Sequence, residues 1–159
     1  MNKSKIWLRL IVVISFCAVA EVSGSLLFVG ERLTTWWPTL NHPAWALPLW
    51  AWGAIGIAYN VMAVVLLFRS WGLLAAGGSM LPLVGSMALV VANQLWGGAF
   101  FGLESALAGL LALIPYTALT AWLMVVLRKH DPTSAWVLAP YCVWLVYDFV
   151  WLAALAGFW

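Results

Sequence analysis

The sequence predicts an all-α integral membrane protein, built as a bundle of five transmembrane helices. Hydrophobic residues make up 66% of the 159 residues and charged residues only 8%, whereas a soluble domain carries roughly 25% charged residues. Five apolar stretches of about 20 residues are each long enough to cross a ~30 Å hydrocarbon core. Because backbone groups in lipid must pair within one segment, and no alternating pattern indicates a barrel, the stretches are predicted to be helices.

The five spans follow one another within a single predicted domain, 1–159. They are expected at about 6–28, 45–68, 80–101, 106–127 and 136–158. Their connections are short, except for a long loop at 29–44. The first span follows basic residues, as a signal peptide does, but it is too long and is interrupted by Glu21. We therefore expect it to persist as a helix.

The basic residues predict the orientation of the bundle. Arg32 falls at one end, and the others fall at the opposite end, namely Lys3, Lys5, Arg9, Arg69, Arg128 and Lys129. The positive-inside rule then places the N-terminus in the cytoplasm, and the C-terminus and the long loop on the outer side. A bacterial inner membrane is the expected location. The net charge of +2 comes from these loop residues and does not indicate a nucleic-acid partner.

The chain offers no recognisable catalytic or metal-binding motif. Cys17 and Cys142 fall inside predicted helices, where thiols pack as small hydrophobic groups, and His42 and His130 fall in loops. No metal-ligand spacing, nucleophile–base pair or phosphate-binding glycine loop is present. We therefore predict no catalytic residue, no metal and no obligatory cofactor.

Helical spacing places polar and aromatic residues on shared faces. In the fifth span, Tyr141, Trp144, Asp148 and Trp151 are spaced three, four and three apart, so they share one face. The same rule forms faces in the other spans from Cys17 with Glu21, from Trp52 with Gly56, and from Asn93 with Trp96 and Phe100. Ordinary packing between helices also produces such stripes, and this alternative stays open.

Depth in the membrane brings these faces to one level. Counting 1.5 Å per residue, we expect Glu21, Gly56, Asn93 and Asp148 to lie roughly 10–15 Å below the outer surface. An ionised Asp at the centre of a span costs about 2.5–3.5 kcal/mol. The carboxyls are therefore expected to be protonated, hydrogen-bonded to Asn93 or a tyrosine, or exposed to a cavity. The alternative is that they are neutral carboxyls that hold neighbouring helices together by hydrogen bonds. A polar and aromatic layer under a long loop indicates a pocket for a flat amphipathic ligand.

Three segments resemble a known family. They are LNHPAWALPLWAW at 40–52, NQLWGGAFFG at 93–102, and PYCVW at 140–144. They are similar to the start of the second helix, the third-helix signature and the opening of the fifth helix of the tryptophan-rich sensory protein family. That family includes the translocator proteins, or peripheral benzodiazepine receptors. The resemblance covers nearly the whole chain.

The resemblance implies a five-helix bundle, often dimeric, whose pocket is closed by the first loop and takes porphyrins, other tetrapyrroles or sterols. It implies that Trp52, Asn93, Trp96, Phe100, Tyr141 and Trp144 line the pocket. Asp148 and Glu21 join this set as residues that replace the family's small ones. The expected lid residues are Trp36, Trp37 and His42.

Departures from the family pattern narrow the function. By the resemblance, Gly56 stands where the family has a tryptophan associated with porphyrin breakdown. We therefore favour a membrane-embedded sensor, carrier or regulator that binds a tetrapyrrole or another flat hydrophobic molecule. An assembly or regulatory subunit of a pigment–protein membrane complex is the alternative. A porphyrin-degrading enzyme is the third and least favoured reading.

Two glycines predict self-association. Gly98 and Gly102 form a small-x-x-x-small pair in the third span, which lets two helix backbones approach closely. With the family's frequent dimerisation, this pair predicts a homodimer. The same pair is equally suited to packing inside one bundle.

Overall fold

The computed structural model describes residues 3–158, and within them the chain forms helices and no strands. Five helices are long and apolar enough to cross a membrane, which confirms the predicted fold class. They are α1 (Lys3–Val29), α2 (Leu49–Ala75), α3 (Leu81–Gly102), α4 (Ala106–His130) and α5 (Pro132–Leu155). The long loop, 30–48, joins α1 to α2, and we call that end of the bundle the loop end.

Helix ends depart from the predicted ones where proline, glycine or a cap decides them. Helix α2 begins at Leu49 instead of residue 45, because Pro48 is extended (φ −67°, ψ 154°). It continues to Ala75, so Arg69 lies within the helix and not in a connection. Helix α5 ends at Leu155, short of the predicted 158, because Gly157 takes a left-handed conformation (φ 82°) that stops helices.

The helices form a closed ring around a large cluster of buried apolar residues, and a smaller second cluster lies where α1 meets α2 and α3. Helix α1 packs against α2 and α3, α4 packs against α3 and α5, and α2 packs against α5. Buried leucines fill the centre, among them Leu66, Leu89, Leu113 and Leu138. Outward-facing side chains are also apolar, with Val143 72% and Val146 65% exposed. An apolar outer surface is what a bundle surrounded by lipid requires.

The last turns of α1 and α3 are π-helical, at Ser25–Val29 and Gly98–Gly102, and they lie side by side. A Cβ at Gly98 or Gly102 would come within 3.3 Å of the Phe28 ring. The two glycines therefore make room for an aromatic side chain of the same protomer. This is the packing inside one bundle that was the alternative to self-association. The homodimer stays a prediction, but the Gly98–Gly102 pair does not support it.

An ion pair joins α2 to the α4–α5 junction at the end opposite the loop end. Arg69 approaches Asp131 twice, with Nη2 2.7 Å from Oδ1 and Nε 3.0 Å from Oδ2. Asp131 also caps α5 by accepting from the Ser134 amide at 3.4 Å. The hydrogen bond from Arg69 holds the pKa of the Asp131 carboxyl below its usual range.

Removing this carboxylate should loosen the end of the bundle opposite the loop end. We expect Asp131→Ala to lower stability by about 1–2 kcal/mol, because a helix cap and a two-point ion pair are lost together. Asp131→Asn keeps the cap and should lose less. Thermal unfolding in mild detergent measures both.

The pH dependence has a defined sign. Since the folded pKa of Asp131 is lowered, its contribution to stability is present above the ordinary carboxyl pKa of about 4. The contribution is lost as the pH falls through the lowered folded value. The gap in unfolding temperature between wild type and Asp131→Asn should therefore narrow on acidification, and an unchanged gap would contradict the assignment.

Candidate ligand-binding site

A cavity of about 550 Å³ lies at the loop end, between α1, α2, α3 and α5. Its volume is in the range of small-molecule sites, roughly 300–1,000 Å³. The structure places all eight sequence-predicted pocket residues on its wall: Glu21, Trp52, Asn93, Trp96, Phe100, Tyr141, Trp144 and Asp148. Four helices contribute to this wall, which is why separate stripes in the sequence meet in one place.

A chain of hydrogen bonds crosses the bundle beside the cavity. Gln94 Nε2 donates to Glu21 Oε2 at 3.3 Å and approaches Asn93 Oδ1 at 3.5 Å. Asn93 Nδ2 donates to the Tyr116 hydroxyl at 3.2 Å, and that hydroxyl lies 2.7 Å from the Tyr141 hydroxyl. These five residues connect α1, α3, α4 and α5. The chain pairs polar groups that would be costly to leave unpaired in a membrane interior.

Aromatic rings form the walls. Trp96 and Phe100 stack nearly parallel, at 7° with centroids 5.7 Å apart. Trp52 and Trp144 also line the cavity and meet edge to face at 4.9 Å. Phe100 is fully buried, and its ring lies where Gly109 of α4 has no side chain. Trp52, Trp96 and Trp144 are only partly buried, so they present aromatic surface to the cavity, while Phe100 supports Trp96 from within the core.

Glycines leave the space that the cavity occupies. Gly53 and Gly56 on α2 and Gly97 on α3 all line it, and a Cβ added at any of them would meet nothing within 4 Å. Ile57 lines the same cavity and is 70% exposed. The α2 side of the cavity is therefore open to the surroundings of the bundle.

The long loop covers the cavity through one buried anchor. Trp37 is 8% exposed and sits in an aromatic cluster, 5.6 Å from Trp52, 6.0 Å from Phe101 and 5.5 Å from Trp151. The ring of His42 packs 4.7 Å from Trp37, and its Nε2 lies 3.2 Å from the Trp37 carbonyl oxygen. The loop is thus held down on α2, α3 and α5.

The predicted lid residues pack against rings of the site and do not themselves line the cavity. They are Trp36, Trp37 and His42, and Trp36 packs edge-on against Phe100 at 5.0 Å. The chain segments at the loop end reach the cavity through Val29 and Leu33. No periodic pattern in the loop distinguishes Leu33 from its neighbours, so its place on the cavity wall could not be predicted from the sequence.

Sequence reasoning also missed Gln94, the residue that pairs with Glu21. It stands next to Asn93 in the third-span motif, and both side chains reach the cavity wall. Adjacent positions on a helix differ by about 100° in direction, so the stripe containing Asn93 did not include it. The polar doublet Asn-Gln inside an apolar span was the available signal.

Several polar atoms of the wall are buried without a partner. Asp148 is only 3% exposed, and its Oδ1 has no hydrogen-bond partner among residues 3–158. The indole nitrogens of Trp52 and Trp96 are likewise buried and unpaired within the described chain. Buried polar atoms are nearly always paired in native proteins. Three side chains that line the cavity therefore have hydrogen-bonding capacity that residues 3–158 leave unused.

Within residues 3–158, no group of three or more His, Cys, Asp or Glu side chains is placed to hold a metal ion. The site is a preformed, mostly aromatic cavity in a helical membrane protein, with a few convergent polar atoms. Cavities of this kind are typical of small-molecule sites, and this one lies in a protein with five helices long and apolar enough to cross a membrane.

The chain belongs to the TspO/MBR family, whose model matches residues 11–155. A relative from Archaeoglobus fulgidus, described as tryptophan-rich protein TspO, is 26% identical over 137 residues. The match covers 85% of this chain and 88% of that protein. Family membership confirms the resemblance found in the sequence.

The lid anchor can be tested by hydrogen exchange. Trp37→Ala should release the loop, because the indole is the buried contact between the loop and the aromatic cluster; losing a buried Trp costs roughly 3–5 kcal/mol. Amides at 32–39 should then exchange much faster, while those of α4 stay protected. Trp50→Ala is the control, since Trp50 is 76% exposed. Equal exchange in both variants would show that Trp37 does not hold the loop.

Proposed function

We propose that this protein binds a flat, hydrophobic, tetrapyrrole-like molecule in the loop-end cavity and acts as a membrane sensor, carrier or regulator. The observation that carries the proposal is that three partly buried tryptophans, Trp52, Trp96 and Trp144, line one cavity and are held by other rings. Flat rings stack on such walls, and each aromatic pair adds about 0.5–1.5 kcal/mol beyond its buried area. The opening beside Ile57 suits a ligand that arrives from the bilayer.

The proposed setting is a bacterial inner membrane with the loop end on the outer side. The basic residues support this orientation, because all but Arg32 lie toward the opposite end of the bundle. Under this arrangement the ligand reaches the cavity from the outer leaflet.

Exposed tryptophans favour one second candidate, a subunit of a pigment–protein membrane complex. Trp136 is 79%, Trp7 63% and Trp122 42% exposed on the outside of the bundle. Tryptophans at such positions also anchor helices at the membrane interface, which is the simpler role. A stable partner or a pigment outside the cavity, found by mass spectrometry after gentle purification, would support the subunit role.

A tryptophan replacement tests the cavity as the binding site. Trp144→Ala should weaken protoporphyrin binding by about 1–3 kcal/mol, because one stacking face is removed. Quenching of tryptophan fluorescence during titration measures the affinity. Trp136→Ala on the same helix is the control, as Trp136 faces away from the bundle. If both variants bind as wild type does, the molecule binds elsewhere.

Filling the cavity is an independent test. Gly56→Leu places a side chain in open space, so the bundle should fold while the cavity is obstructed. We expect protoporphyrin affinity to fall at least about tenfold, which corresponds to 1.4 kcal/mol. Ala54→Leu introduces the same leucine side chain on the exposed side of α2 and should leave affinity unchanged. Unchanged binding by Gly56→Leu would count against the loop-end cavity.

A further inference from the structure

We propose that the Asp148 end of the cavity receives a basic nitrogen, so that the preferred ligand is a flat aromatic molecule with a cationic amino group. This inference rests on the proposed function and deepens it, since it names the chemistry at one end of the ligand. It depends on three observations, namely an unpaired carboxyl, the charges on the cavity wall and the positions of the two unpaired indoles.

The two carboxyls of the wall differ in their pairing. Glu21 accepts a hydrogen bond from Gln94 at 3.3 Å. Asp148 is more deeply buried and makes no hydrogen bond or ion pair with residues 3–158. Leaving a buried acceptor unpaired costs about 1–3 kcal/mol, and more when it is charged. A donor brought by the ligand would remove that cost, whereas Glu21 already has a partner from the protein.

The charge on the wall selects the sign of the ligand. The residues that line the cavity include the carboxyls of Glu21 and Asp148 and no Lys, Arg or His. Arg32, on the loop, pairs with Glu104 at 3.5 Å and with the Phe28 carbonyl oxygen at 3.1 Å. A carboxylate on the ligand would find no counter-charge beside Asp148. Unpaired charge and like-charge contacts are how binding sites reject the wrong ligand.

The unpaired indoles complete the description of the ligand. Trp52 and Trp96 both line the cavity, and the indole N–H of each is buried with no partner in residues 3–158. Their donors suit neutral acceptor atoms on a ring system, while Asp148 suits a donor. Any acidic group of the ligand is then directed away from Asp148, toward the open side of the cavity.

Three matched tricyclic probes test the inference. They are 9-(aminomethyl)anthracene, which is a cation at neutral pH, the neutral 9-ethylanthracene and the anion 9-anthracenecarboxylate. Affinities are measured by energy transfer from tryptophan, in nanodiscs of zwitterionic phosphatidylcholine, so that the lipid does not favour either charge. In wild type we expect the cation to bind at least about tenfold more tightly than the neutral probe, and the anion to bind most weakly.

Two isosteric variants locate the preference. Asp148→Asn should remove the cation preference while leaving the affinity for 9-ethylanthracene within about twofold. Glu21→Gln should keep the preference, because the Glu21 carboxyl is already paired. Asp148→Glu, which retains the charge, should keep most of it. These outcomes together would support Asp148 as the acceptor.

Other outcomes overturn the inference. Equal binding of cation and neutral probe by wild type would do so without any variant, even if Asp148→Asn failed to fold. A preference that survives Asp148→Asn, or that is lost in Glu21→Gln instead, would also overturn it. Failure of the proposed function looks different, because 9-ethylanthracene would then not bind, or would be insensitive to Trp144→Ala and Gly56→Leu.

Discussion

The constraint on which this bundle depends is that polar side chains inside a membrane must find partners within the protein. Five of them form one chain, from Glu21 through Gln94, Asn93 and Tyr116 to Tyr141. Its hydrogen bonds join α1 to α3, α3 to α4 and α4 to α5, and one further link connects Gln94 to its neighbour Asn93. The chain therefore fixes how these four helices sit beside the cavity. Apolar packing alone is less specific, because lipid chains are as apolar as the leucines they would replace.

The cavity exists because bulky side chains and glycines are distributed unevenly around the hydrogen-bond chain. Rings fill the loop end, where Trp37 brings the loop down onto Trp52 and Trp151. Glycines do the opposite on α2, where a Cβ added at Gly53 or Gly56 would meet nothing within 4 Å. Helix α1 reaches α2 mainly near the other end, through Val13, Cys17, Ala63 and Leu67. The two helices are therefore joined at one end and leave a cavity between them at the loop end.

The sequence predicted the helices and the inward faces because both follow from period and length. Tyr141 and Asp148 were placed on one face of the fifth span, and both are buried in α5. The pairing of Glu21 with Gln94 could not be predicted, since it depends on the rotation of α1 against α3. Gly98 illustrates the same limit: a glycine pair indicates close packing, but only the structure shows that its partner is Phe28.

Asp148 separates the two roles that a carboxyl can have in a membrane helix. Glu21 is part of the hydrogen-bond chain, so its presence follows from the packing of the helices. Asp148 lies outside that chain, although Tyr141 is two turns before it on the same helix face. Burying a carboxyl inside a membrane helix costs free energy, and a carboxyl that joins no helices does not recover that free energy by stabilising the fold. Since it lines the cavity beside unpaired indoles, its partner is best sought in the molecule that the cavity receives.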